Sequence, residues 1–141
     1  RMPGFINISL EVVNFLIPFL IGSLIFFSII VAPNTFLSLD QKNARRFIRS
    51  IFPKLYLWAF FITLIISIFI SFHGMIYGFV LLVISSGFLF SRQFLVKWIN
   101  KVSDIKSKTK AEERQFHKLH TLSVLIFFIQ IISLVLIYFF I

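Results

Sequence analysis

Residues 55–91, LYLWAFFITLIISIFISFHGMIYGFVLLVISSGFLFS, contain no Asp, Glu, Lys or Arg, and Lys54 and Arg92 close the block on either side. A helix needs about 20 apolar residues to cross a hydrocarbon core about 30 Å thick. The block is long enough for two such helices, and its strongest polar break is the pair His73-Gly74. It reads as two spans, about 54–73 and 75–91, joined by a tight turn. The second is the shorter, but Arg92 and Lys97 can snorkel and Trp98 suits a membrane interface.

Outward from this hairpin, two further apolar stretches fill about 12–32 and 120–141. The first is too long for a signal-peptide core. It lacks a basic leader and runs into Ala32-Pro33 in place of a small-residue cleavage site, so it is read as a mature span. The fold class expected is all-α: a polytopic membrane protein, one domain over 1–141, with four transmembrane helices in a bundle. Composition agrees. The 141 residues include 21 Phe, 59% are hydrophobic, and the formal net charge is nevertheless +9. That combination is possible because the charge is segregated. All Lys and Arg except Arg1 fall within 42–54 and 92–118.

Loop charge predicts orientation. The first basic window carries Lys42, Arg45, Arg46, Arg49 and Lys54 against Asp40. The second carries Arg92, Lys97, Lys101, Lys106, Lys108, Lys110, Arg114 and Lys118 against Asp104, Glu112 and Glu113. On the other side stand Arg1, Glu11 and the uncharged turn. By the positive-inside rule both basic loops are cytoplasmic and both termini face out. Because the basic residues flank apolar spans, anionic lipid headgroups are the expected partner and nucleic acid is not.

Within the first loop, Ala44, Phe47, Ile48 and Ile51 share one helical face, and Lys42, Arg45, Arg46 and Arg49 share the other. This pattern predicts an interfacial amphipathic helix between spans 1 and 2, its four basic side chains on lipid phosphate. Either Ser38 or Asp40 caps its start, and Pro53 ends it and opens span 2. Thr109-x-x-Glu112 is a capping box, so the last helix should begin near Lys110 and run to the end of the chain.

Polar side chains inside spans are costly and usually face a bundle interior. Glu11, Asn14, Pro18 and Gly22 share one face of span 1, with Pro18 freeing the Asn14 carbonyl. On span 4, His120, Ser123, Phe127 and Gln130 share a face, with Gln130 near the middle. Asn14, Pro18, Gly22, His120, Ser123 and Gln130 therefore make the candidate intramembrane polar site, either as packing and interhelical bonding or as contacts to a solute. Ala59, Thr63, Ser67 and Ser71 on span 2, and Gly78, Ser85, Ser86 and Gly87 on span 3, are small-residue stripes for close helix packing.

Chemistry is scarce. There is no cysteine, and none of the five acidic residues lies deep in an apolar block. That excludes disulfides and thiolate centres, and argues against paired-carboxylate hydrolysis. No Ser-His-Asp set or Gly-rich phosphate loop is present. His117 and His120, three apart on one helix, are the weak candidates for a metal or haem iron, and His73 lies on the opposite side. No cofactor is expected, and an enzyme is disfavoured.

Two stretches carry a resemblance. One is Gly22 to Phe27, then Val31-Ala32-Pro33, Phe36, Leu39, Ala44, Phe47 and Ile51-Phe52-Pro53 with Tyr56; the other is Arg92 followed by Phe116-His117-Lys118-Leu119-His120-Thr121-Leu122-Ser123. Together they resemble the four-span membrane family of unknown function that includes transmembrane protein 205. Leu55 and Leu57 stand beside Tyr56 where that pattern usually has a second aromatic. The resemblance aligns His120 with the family's histidine and leaves His117 outside the pattern. It implies a helical bundle in a bacterial inner membrane or a eukaryotic membrane, with a tilt toward solute export. The function expected is binding or transport of a small apolar or metal-complexed solute. The rivals are an accessory or structural subunit of a larger membrane complex, and a small haem-binding membrane oxidoreductase.

Overall fold

The computed structural model describes residues 2–141, with side chains from Asn7 onward. The described residues form helices and short links, without strands. Helix α1 (Met2–Phe26) passes through a π-helical turn (Phe27–Val31) into α2 (Ala32–Ser38). Helix α3 runs from Gln41 to Ile70. Helix α4 (Met75–Phe90) passes through a second π-helical turn (Ser91–Leu95) into α5 (Val96–Ser103), and α6 spans Lys110–Phe140. Four helical rods result, Asn7–Ser38, Gln41–Ile70, Met75–Ser103 and Lys110–Phe140, each long and apolar enough to cross a membrane. These are the proportions of an integral membrane protein.

At 1.5 Å per residue the rods are about 43–48 Å long, well beyond the hydrocarbon thickness. The excess lies at the basic end. Ala44, Leu95 and Val102 are buried there, so the overhanging turns pack on protein. Two side chains of α3 add links across this end. Arg45 Nη2 donates to Ser103 Oγ at 2.8 Å, and Arg49 pairs with Asp104 at 2.6 Å. With the two partners 34% and 58% exposed, the ion pair is worth no more than about 1 kcal/mol.

The expected interfacial helix ended by Pro53 does not form as a separate element. Residues 41–53 are the first turns of the single helix α3, and Pro53 lies in its interior. An interior proline costs about 3 kcal/mol in an isolated helix. Here the flanking turns are held by packing: Phe52 meets Phe27 edge-on at 5.2 Å, and Tyr56 behind it is buried. The capping box does form. Glu112 N–H donates to Thr109 Oγ1 at 3.2 Å, and Thr109 N–H donates to Glu112 Oε1 at 3.0 Å.

Helix α3 packs most extensively on α4, and also on α1, whereas α6 packs on α1, α4 and α5. The interior is built from Val13, Ile17, Leu20 and Leu24 of α1, Ala59, Ile62, Ile66 and Ile70 of α3, Leu81, Ile84 and Phe88 of α4, and Leu134 and Ile137 of α6. The α1 set recurs at alternating intervals of four and three residues, the spacing that keeps one stripe on a neighbouring helix.

Candidate functional site

The α3–α4 contact is a ladder of hydroxyls. Ser67 Oγ donates to the Gly78 carbonyl at 2.7 Å, and Ser85 Oγ donates to the Phe60 carbonyl at 3.3 Å. Thr63 Oγ1 turns back to its own helix, donating to the Ala59 carbonyl at 2.7 Å. Close approach requires small residues on both sides. A Cβ on Gly78 would strike Ser71 Oγ and stand 3.4 Å from the Ser67 carbonyl oxygen. Ala59, Thr63, Ser67, Gly78 and Ser85 of the stripes read on spans 2 and 3 are thus buried packing positions, whereas Ser86 is exposed and its hydroxyl donates back to the Leu82 carbonyl.

Gln130 is the largest of the buried polar side chains. It is 5% exposed, and its Nε2 donates to the Ile84 carbonyl at 2.9 Å, tying α6 to α4. Gly87 supplies the notch: a Cβ there would lie 2.5 Å from Gln130 Nε2. The amide's Oε1 is buried without a hydrogen-bond partner among the described residues. Gly87→Ala should therefore displace the amide and cost about 2 kcal/mol in detergent unfolding. Adding Gln130→Ala to the same chain should cost less than it does in the parent, because Gly87→Ala has already displaced the amide from the Ile84 carbonyl.

Nearer the basic end, Tyr56 is buried and its hydroxyl lies 3.5 Å from Ser123 Oγ, which links α3 to α6. Tyr56 continues a line of rings, Phe27–Phe52–Tyr56–Phe88, with centroid separations of 5.2, 6.0 and 6.5 Å. Arg92, inside the second π-helical turn, donates from Nε to the Pro53 carbonyl at 3.2 Å. One end of the array therefore gathers both π-helical turns, the interior proline and this guanidinium. Sequence reasoning did not put Arg92 or Tyr56 in a site. The cues were Pro53 and the single cation closing an apolar span.

The remaining predicted residues do not join Gln130. His120 and His117 are exposed on α6, with His120 stacked on Phe116 at 6.2 Å and His117 edge-on to the same ring at 6.0 Å. His73 stacks on Tyr77 at the turn following α3. Among the described residues, no group of three or more His, Cys, Asp or Glu could hold a metal ion. Asn14, Pro18 and Gly22, with Glu11, lie on the outward face of α1. The expectation that this face points inward is corrected: α1 turns Val13, Ile17, Leu20 and Leu24 to its neighbours, and the π-helical turn after it does the same with Phe27. Aliphatic side chains fill a close-packed interior without unsatisfied groups, and that outweighs the membrane cost of leaving the polar stripe outside.

Lys42, Arg45, Arg46 and Arg49 line an open cleft of about 720 Å³ at the basic end, with Asp40, Gln41 and Asp104 on its walls. Arg45 and Arg49 bond to Ser103 and Asp104, whereas Lys42 and Arg46 are exposed with no side-chain partner among the described residues. Such a surface attracts anions. Comparison of the chain with protein-family models, curated proteins and solved structures gives no match.

Proposed function

We propose that this chain is a non-enzymatic subunit that works by assembling with other protein within the membrane, its basic end held at the cytoplasmic face by anionic headgroups. The observation that carries the reading is how its polar groups are distributed. Ser67, Ser85 and Gln130 spend their donors on neighbouring helices of the same chain. The side chains of Asn14 and Glu11, by contrast, face outward and make no hydrogen bond among the described residues. An amide facing hydrocarbon is costly, and a protein partner relieves that cost. The cleft of Lys42, Arg45, Arg46 and Arg49 supports the headgroup contact at about 1 kcal/mol per basic residue. The bundle arrangement and the bacterial inner membrane belong to the same proposal.

Single-molecule photobleaching of the labelled full chain in native-membrane vesicles, with native mass spectrometry of the same preparation, tests the reading. Particles containing more than one polypeptide are expected. A uniform population of lone chains would defeat it.

A second reading, binding or transport of a small solute, is favoured by one atom: the unpartnered Gln130 Oε1. It would accept a hydrogen bond from a solute carrying a donor. Gln130→Leu removes the acceptor at similar volume, so solute uptake into vesicles that survives this change would rule the role out.

A further inference from the structure

We infer that the partner on span 1 is a second copy of this chain, paired through a stripe centred on Asn14. The inference rests on the assembly reading above and narrows it to one occupant.

Glu11, Asn14, Pro18, Gly22, Ile25 and Ile29 follow one another at intervals of three or four residues, and all six are exposed. They form one continuous line along the face opposite the interior stripe. The depth of the polar groups restricts what can cover them. Asn14 falls within the apolar stretch 12–32, where lipid offers neither donor nor acceptor. The occupant must bring both at that level. A carboxamide carries two donors and an acceptor on one side chain, so a second Asn14 at equal depth complements the first reciprocally. Two copies inserted in the same direction always meet that condition, because a two-fold axis along the membrane normal brings like-numbered residues together. A single buried Asn fixes partner and register in coiled-coil dimers in the same way.

Two features of the stripe suit close pairing. Pro18 has no N–H for the Asn14 carbonyl, which leaves a second acceptor on this face. At Gly22 a Cβ would meet nothing within 4 Å, so the backbone is open to a neighbouring helix, and small residues are where membrane helices cross. Toward the N-terminal end, the two Glu11 carboxylates oppose one another as like charges. The pair is therefore set to cross near Gly22 and splay at Glu11.

The test uses the full-length chain in native membranes, with the photocrosslinker p-benzoylphenylalanine in place of Phe15, which is 66% exposed beside Asn14. The same probe at Ile129 of α6, 62% exposed, is the control. Phe15 should give a product at twice the 16.5 kDa chain mass, and Ile129 should give none. Asn14→Leu should weaken that association about tenfold, the equivalent of losing two interhelical hydrogen bonds. Asn14→Gln should retain it, and Glu11→Gln should strengthen it. Because Asn14 is exposed, helix content measured by circular dichroism should not change in these variants. A Phe15 product only at some other mass would overturn self-pairing while leaving the assembly reading in place. Absence of any product, together with lone chains by photobleaching, would overturn both. A dimer product unaffected by Asn14→Leu would overturn the role given to the amide.

Discussion

Replacing Gly78 by leucine is expected to destabilise the chain by about 3–4 kcal/mol, the sum of overpacking and a lost interhelical bond. At this position a Cβ alone would collide with Ser71 Oγ, lie 3.1 Å from Ser71 Cβ and come within 3.4 Å of the Ser67 carbonyl oxygen. A serine hydroxyl can rotate away, so Gly78→Ala should cost far less. The further atoms of leucine meet α3 backbone, which gives way only if the helices separate. Separation then breaks the 2.7 Å bond from Ser67 Oγ to the Gly78 carbonyl and loosens the whole α3–α4 contact. Urea or SDS titration of the purified chain, followed by far-ultraviolet circular dichroism, reads the loss. A Gly78→Leu chain as stable as the parent would show that α3 and α4 do not approach as described. Gly22→Leu is the matched comparison. With open space at that position, it should change the stability of the single chain by no more than about 0.5 kcal/mol.

The two glycines also show why some of this molecule is legible in its sequence and some is not. Span number is readable because hydrocarbon thickness sets a length that residues 55–91 meet twice over. The Thr109 capping box is readable because both of its bonds are local. Interior faces are harder. In water an apolar stripe must turn inward, but in lipid Phe15, Phe19 and Phe26 are as well solvated outside as Val13, Ile17 and Leu20 are inside. Only polar groups then carry directional information, and what they indicate depends on where the partner sits. Gln130 finds its partner, the Ile84 carbonyl, within the chain, and the inward assignment holds for it. For Asn14, on the outward face, the same reasoning fails. Pro53 fails as a helix terminator for a different reason. Proline weights describe isolated helices, whereas packing around Phe52 and Tyr56 continues α3 through it. The π-helical turns have no local sequence signature, and the Arg92–Pro53 bond joins residues 39 apart, so its two cues stand separately in the chain.

Orientation yields an all-or-none result. The chain has no cysteine, so single cysteines placed at the exposed positions His73 and Ser107 report separately on its two ends. In intact cells a membrane-impermeant maleimide should label His73→Cys fully. Ser107→Cys should react only after permeabilisation. The reason is the asymmetry between the ends. Five basic residues precede span 2 and eight follow span 3, whereas the His73–Gly74 turn has no charged neighbour closer than Lys54 and Arg92. Positive charge near span ends resists translocation, and here both basic clusters oppose the same movement. Neutralising Lys42, Arg45, Arg46, Arg49 and Lys54 together should therefore leave the labelling pattern intact, since the second cluster still holds the chain. Orientation should become mixed only when both clusters are neutralised, with both cysteines then partly labelled from outside. The Arg49–Asp104 pair, lost in either variant, is exposed and too weak to account for such a change. Full outside labelling of Ser107→Cys in the otherwise unaltered chain would reverse the orientation and place the Lys42–Arg49 cleft outside the cell.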